Sequence, residues 1–256
     1  MTQFYLPVGR EEEVFQHAWK CLLPLMIKGP TGCGKTRFVQ HMAEQLQREL
    51  ITVSCNEDTS ATDLLGRHLL LGGETRWVDG PVTRAVRSGA LLYLDEIAEA
   101  RADALVVIHS LTDHRRELFL DRTGERLVAP PGFMLIVSYN PGYQRSLREL
   151  KPSTRQRFIA LSFGHPSEEA EAQILVAESG ADPSVARRLV QIGRKIRTLT
   201  ELNLLESAST RLLVSAAKLI AQGVPPRLAC LTAIAEPLTD DDDARSALRH
   251  LIDLSI

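Results

Sequence analysis

Apolar residues follow two rhythms along this chain, and the change of rhythm divides it. Short continuous apolar runs at 24–28, 50–54, 90–94, 133–139 and 158–163 read as strands buried on both faces. Between them, 37–48, 81–87 and 102–112 place apolar residues at helical spacing. Strands alternating with helices predict a parallel sheet covered by helices on both sides. After Phe163 the triplet Gly164-His165-Pro166 punctuates the chain, and Ser167 followed by Glu168 and Glu169 has the form of a helix start. Beyond it only helical periodicity remains, over 167–179, 183–198, 209–222, 226–236 and 241–254. The expected organisation is an α/β domain over 1–164 and a smaller all-α domain over 165–256. The acidic run 240–243 reads as the solvated start of the last helix, where negative side chains suit the helix dipole.

Composition narrows the function classes. Lys plus Arg total 30 and Asp plus Glu total 32 in 256 residues, a net charge of -2. A protein that neutralises nucleic-acid phosphates carries a basic surplus, so this balance argues against that partner. Aromatics are only 5%, which leaves Leu, Ile, Val and Ala to build the core. No run approaches the roughly 18 apolar residues of a spanning helix. The first residues lack the charged and apolar regions of a signal peptide, so a cytoplasmic setting is expected. Cys21, Cys33, Cys55 and Cys230 are scattered, which argues against a zinc site or a disulfide framework.

The first motif with chemistry is Gly29-Pro30-Thr31-Gly32-Cys33-Gly34-Lys35-Thr36, a full G-x-x-x-x-G-K-[ST] match between an apolar strand and an amphipathic helix. Glycines let successive backbone N–H groups turn inward on an anion, and the following helix adds its N-terminal N–H groups. Lys35 is placed to reach the β and γ phosphates, and the Thr36 hydroxyl to ligate Mg²⁺. Cys33 reads as a small filler in this loop.

Residues 91–96 are Leu-Leu-Tyr-Leu-Asp-Glu, an apolar strand ending in two adjacent carboxylates. Asp95 at the strand tip would hold the Mg²⁺ shell. Glu96, one residue on, would orient or deprotonate the attacking water, since a general base must not be tied up by the metal. The chain lacks an N-K-x-D element for reading guanine, which sets GTPases aside.

Three further positions complete the candidate site. Asn140 follows the strand 133–139, where a polar side chain would stand beside the γ-phosphate. Arg155 and Arg157 immediately precede the last strand; an arginine supplied by a neighbouring subunit stabilises charge on a transferring phosphoryl group. In the helical domain Arg211 lies in the first turn of a helix capped by Ser209. A cation there opposes the dipole, and a nucleotide phosphate would compensate.

These elements, in this order, resemble the AAA+ ATPases, more narrowly the MoxR group and its CbbQ/NorQ branch. The stretches that carry the resemblance are 28–38, 72–77, 79–87, 137–143, 151–158 and 208–213, and it covers essentially the whole chain. It implies a P-loop AAA+ nucleotide domain followed by an all-α lid, with ATP and Mg²⁺ as ligands. Lys35 and Thr36 are then Walker A residues, Asp95 and Glu96 Walker B, Asn140 sensor 1, Arg211 sensor 2, and Arg157, with Arg155, the arginine finger. A homohexameric ring is implied. So are an insertion over 66–80 directed at the pore, a hairpin over 117–128, a von Willebrand A-domain adaptor, and a metabolic enzyme as client. The residues 235–241 lean toward the CbbQ type, whose client is rubisco; the NorQ type, acting on nitric oxide reductase, is the alternative. Leu118 and Leu120 on one side with Leu127 on the other support the 117–128 hairpin independently.

Other readings make distinct demands. A nucleic-acid motor could use Arg67, Arg76, Arg84 and Arg87 as a basic stripe, although Glu74 and Asp79 interrupt it. A small-molecule kinase would use the same phosphate loop. Trp77 and the leucines 69–71 stand either as exposed apolar residues near a ring axis or as core.

Overall fold

A computed structural model describes residues 4–141, 150–199, 204 and 206–256. The alternating apolar runs become a five-stranded sheet of β1 (Leu25–Lys28), β2 (Leu50–Ser54), β5 (Leu91–Asp95), β8 (Met134–Tyr139) and β9 (Ile159–Ser162). Their spatial order is β2-β5-β8-β1-β9, and every pairing is parallel. In the central strands β5 and β8 nearly every residue is buried, as expected where helices cover both faces. Fully burying a leucine such as Leu92 or Leu94 is worth about 1.5–3 kcal/mol.

The helices of this region are α1 (Glu11–Lys20), α2 (Lys35–Gln45), α3 (Ala61–Leu65), α4 (Pro81–Ser88), α5 (Ala102–His109) and α6 (Pro152–Arg155). Helix α4 shows why such segments form. Pro81 sits at its first position, Val82, Ala85 and Val86 are buried on one side, and Gly89 ends it in the left-handed conformation. Helix α1 is absent from the sequence expectation. It buries Phe15, whose ring meets Phe38 of α2 edge-on at 5.6 Å.

Two antiparallel hairpins are inserted. β3 (Gly66–Leu71) pairs with β4 (Glu74–Asp79) across a Gly72-Gly73 turn, both glycines having positive φ. β6 (Glu117–Leu120) pairs with β7 (Glu125–Val128), and Leu118 and Leu120 are buried together as their alternation predicts.

The chain falls into two compact units. One contains Gly9–Gly29 and Lys35–Ser162; the other contains Phe163–Ile256 with Pro30–Gly34 and the described residues of Met1–Val8. In the second unit, α7 (Glu168–Ser179), α8 (Pro183–Thr198), α9 (Thr210–Ala221), α10 (Pro226–Cys230), α11 (Glu236–Leu238) and α12 (Asp242–Asp253) enclose a separate apolar core that includes Leu189, Ile192, Leu213, Ile234 and Leu248. Ser167 accepts from the Ala170 N–H, Ser209 from Leu212 and Asp241 from Ala244, so each cap satisfies a helix-end donor. The expected helix over 226–236 is broken into α10 and a π-helical turn, Leu231–Ala235. Among the described residues no helix is long and apolar enough to cross a membrane.

Candidate functional site

Parallel pairing brings the carboxyl ends of β1, β5 and β8 to one edge of the sheet. The loop after β1 is the glycine-rich loop, β5 ends in Asp95-Glu96, and Asn140 follows β8. Three separate sequence motifs therefore converge because adjacent strands run the same way.

In the loop, Gly32 and Gly34 take φ of 70° and 97°, a region that disfavours side chains. Lys35 is buried, and its Nζ donates to the Gly29 carbonyl at 2.8 Å. The Thr36 hydroxyl, one position into α2, donates to Asp95 Oδ2 at 3.0 Å. Asp95 is also held from its other side: the Tyr93 hydroxyl donates to Oδ1 at 2.7 Å, and so does the Ser138 hydroxyl. Ser138 Oγ in turn accepts the Glu96 backbone N–H at 2.8 Å. One hydroxyl thus fixes the backbone at Glu96 and the carboxylate at Asp95 together.

Glu96 itself takes φ 55°, ψ 46° and is exposed. That left-handed backbone turns the chain away from the strand and separates the second carboxylate from the first. Burial, and next the Asp95 charge, push the Tyr93 phenol upward, so it stays a neutral donor. Burial pushes the Cys55 thiol up to about 12, with Asp95 and Glu96 adding to it, so it does not act as a nucleophile. Cys21, Cys33, Cys55 and Cys230 are not joined by disulfides.

Thr36 and Asp95 offer hard oxygen donors 3.0 Å apart, a set that suits Mg²⁺ completed by phosphate and water oxygens. Among the described residues no cluster of three or more His, Cys, Asp or Glu is gathered as a metal site. Tyr93 and Ser138 are site residues that sequence reasoning missed. Each sits inside an apolar run, and the available signal was a hydroxyl close to a strand tip.

Arg155 and Arg157 lie elsewhere, and Arg211 stands beside the loop, its Cβ 3.4 Å from where a side chain on Gly32 would begin. Arg155 ends α6 and Arg157 precedes β9, whose residue Ile159 is level with Leu25 at the start of β1. About 10 Å of strand separates that level from the phosphate-loop edge. Arg157 Nη1 reaches the His109 carbonyl at 3.5 Å, and the His109 ring meets the buried Thr154 hydroxyl at 3.1 Å. Arg211 is exposed in the first turn of α9 and forms no ion pair among the described residues.

Two open readings narrow. Trp77 is half-buried against the core, its indole N–H donating to Asp79 at 2.6 Å and its ring meeting His68 edge-on. Leu70, 74% exposed, is the apolar residue that this hairpin presents, while the Leu71 side chain lies outside the described residues. The interruption of the basic stripe by Glu74 and Asp79 is also seen directly. Arg76 pairs with Glu74, and Arg87 pairs with both Asp79 and Glu125, so their charges are matched locally.

Residues 24–158 match the AAA domain (dynein-related subfamily), and residues 171–255 match the CbbQ/NirQ/NorQ C-terminal family. The chain belongs to the CbbQ/NirQ/NorQ family of AAA+ ATPases. It is 57% identical over its whole length to denitrification regulatory protein NirQ of Pseudomonas aeruginosa, covering 98% of that protein. It is 56% identical to protein NorQ of Paracoccus denitrificans, over 97% of this chain and 92% of that one. Protein CbbQ of Hydrogenophilus thermoluteolus is 52% identical over 96% of this chain and 92% of its own. Two solved structures share the fold at low identity. A RuvB mutant of Thermotoga maritima has a TM-score of 0.59 at 15% identity, over 96% of this chain and 71% of its own. An ATPase-like chain from Cytophaga hutchinsonii has a TM-score of 0.53 at 14% identity, over 97% and 89%. Like other AAA+ members, this CbbQ/NirQ/NorQ-family protein binds nucleotide and hydrolyses ATP.

Proposed function

We propose that this ATPase is a ring-forming motor that remodels and activates a metabolic enzyme, in the manner the denitrification names of its relatives suggest. The observation that carries the catalytic part is the Thr36–Asp95 contact between the start of α2 and the tip of β5, with Glu96 one residue further along. The backbone of Gly29–Thr36 and the Lys35 ammonium hold the phosphates. Thr36 and Asp95 would hold Mg²⁺, which would supply positive charge against the phosphate oxygens. Glu96 orients the attacking water and takes its proton as the new P–O bond forms. The bridging P–O bond breaks and ADP leaves with its electron pair. Asn140 holds the same water from the β8 side, and Arg211 senses the γ-phosphate.

Arg157, with Arg155, serves the nucleotide of a neighbouring copy. Their place at the opposite end of β9 from the phosphate loop supports this, because they start away from their own chain's site. The ring is a homohexamer and works with a von Willebrand A-domain adaptor. The 66–79 hairpin, with Leu70 exposed, reaches toward the client. Identities of 57% and 56% to NirQ and NorQ, against 52% to CbbQ, favour nitric oxide reductase over rubisco as that client.

The decisive experiment compares Glu96→Gln with the parent in ATP binding and turnover. The variant keeps nucleotide affinity and loses about 10²–10⁴ in turnover, the usual weight of a general base. Normal turnover removes Glu96 from the mechanism. For the client, activation of inactive nitric oxide reductase by the parent, and not by Glu96→Gln, supports the denitrification reading. Activation of inhibited rubisco alone replaces it with the CbbQ type.

A further inference from the structure

A buried ion pair in the helical unit stands behind the segment that carries Arg211. Glu171, in the first turn of α7, is fully buried. Both its oxygens accept from the Arg197 guanidinium of α8, at 2.8 and 2.7 Å. The same two side chains hold the chain just before α9. Arg197 Nε donates to the Ala208 carbonyl at 2.7 Å, and the Thr210 hydroxyl donates to Glu171 at 2.6 Å. Ser209 lies between those two anchor points and caps α9 through the Leu212 N–H.

What Ser209 faces is the tip of the phosphate loop, which belongs to the same compact unit. A side chain on Gly32 would come within 2.6 Å of Ser209 Cβ and 3.4 Å of Arg211 Cβ. Thr31 Oγ1 donates to Glu206 at 3.1 Å. The segment 206–211 therefore lies between a fixed polar anchor and the loop that cradles phosphate. An ion pair buried this deeply is no more stabilising than well-packed apolar side chains of the same volume. What it adds is direction, since a two-pronged guanidinium on a carboxylate fixes both angle and distance.

We propose that Glu171 and Arg197 are positioning residues for nucleotide binding: by pinning Ala208 and Thr210 they set Ser209 and Arg211 against Gly32 and so hold the phosphate loop in its binding shape. Neither residue touches nucleotide. The proposal rests on the reading of the phosphate loop and Arg211 given above, and it assigns a role to residues outside the motifs named in the sequence.

The test uses full-length protein, a fluorescent ATP analogue, steady-state turnover and thermal unfolding. Glu171→Leu/Arg197→Met replaces the pair by apolar volume. Thr210→Val removes one anchor with a single small change, and Arg211→Ala reports the sensor by itself. The double variant keeps a cooperative transition while analogue affinity falls about tenfold, and adding Arg211→Ala to it costs much less than Arg211→Ala costs the parent, the signature of coupled residues. Thr210→Val lowers affinity several-fold with little change in melting temperature, and it decides the matter should the double variant not fold. Unchanged affinity in a folded double variant, or in Thr210→Val, overturns the proposal. If Arg211→Ala binds and turns over ATP like the parent, the sensor reading fails. Anchoring of the loop through Ser209 and Gly32 is then still judged by Thr210→Val.

Discussion

Arg87 Nη1 donates to Glu125 Oε1 over 2.7 Å, tying α4 to β7, the second strand of the second hairpin. The same guanidinium donates from Nε to Asp79 at 2.8 Å, at the end of the first hairpin. Hydrogen bonding from Arg87 holds the Glu125 carboxyl below the usual carboxylate range. The two insertions thus share one clamp, and Arg87→Met should loosen both. Amide exchange is expected to rise over 66–79 and 117–128 together, with melting lowered by at most about 4 °C, because the groups are exposed. Added salt should reproduce part of the effect in the parent. Faster exchange in one hairpin alone would refute a shared clamp.

Tyr93 offers a cleaner probe of the metal position than Asp95 itself. Tyr93→Phe removes one donor to Asp95 and leaves the ring in the core. The Mg²⁺ concentration for half-maximal turnover should rise about tenfold, as when other groups orienting a ligand are lost. Nucleotide binding in the presence of a chelator should not change. An unaltered Mg²⁺ titration would mean that Asp95 is oriented well enough by Ser138.

Gly32 has two independent reasons to resist a side chain: φ of 70° and a Ser209 Cβ that a new methyl would meet at 2.6 Å. Gly32→Ala should cost about 1–2 kcal/mol for the left-handed backbone and lower ATP affinity more than tenfold, an overlap that the loop relieves by shifting. Ser209→Gly added to it should restore part of the affinity, because it removes the collision and leaves the backbone term. Titration with the fluorescent analogue separates the two, and no recovery would place the whole defect in the backbone.

Acid should weaken the fold through two histidines. Burial lowers the His109 ring, with Arg157 and Lys151 acting in the same direction. Burial also lowers His165, with Arg197 adding to it and Glu171 opposing. A histidine kept neutral in the folded chain but free to charge when unfolded makes the unfolded state bind more protons as pH falls. Stability is therefore intact above about pH 6.5, the ordinary histidine value, and declines below it until the folded rings also protonate. Melting temperatures from pH 8 to 5.5 should show this slope, and His109→Gln or His165→Gln should each flatten it. Equal slopes in parent and variants would assign the acid sensitivity to other groups.

The sheet was legible because parallel strands buried on both faces leave continuous apolar runs, as 90–94 and 133–139 do. The phosphate loop and Asp95-Glu96 were legible because phosphate and metal binding demand rare local patterns. Tyr93, Ser138 and the Glu171–Arg197 pair were not. Their roles depend on which strands and helices become neighbours, and a hydroxyl or an acid looks ordinary until its partner is placed. Helix α1 is a single short amphipathic segment behind three glutamates, and of its apolar residues only Phe15 and Ala18 are buried, so its stripe is weak in the sequence. The π-helical turn at Leu231–Ala235 has no pattern that separates it from the helix on either side. Trp77 was ambiguous for a simpler reason: an indole serves equally at a tip or against a core, and only the Asp79 acceptor decides it.

The Glu171–Arg197 pair also shapes how this sequence can change. Losing either partner alone strands a charge inside the helical core, which is severe, whereas replacing both at once is nearly neutral for folding. Single substitutions at either position are thus trapped, and the lineage can leave this arrangement only by a double step. The two positions are therefore expected to be inherited as one unit, though 26 residues separate them in the chain.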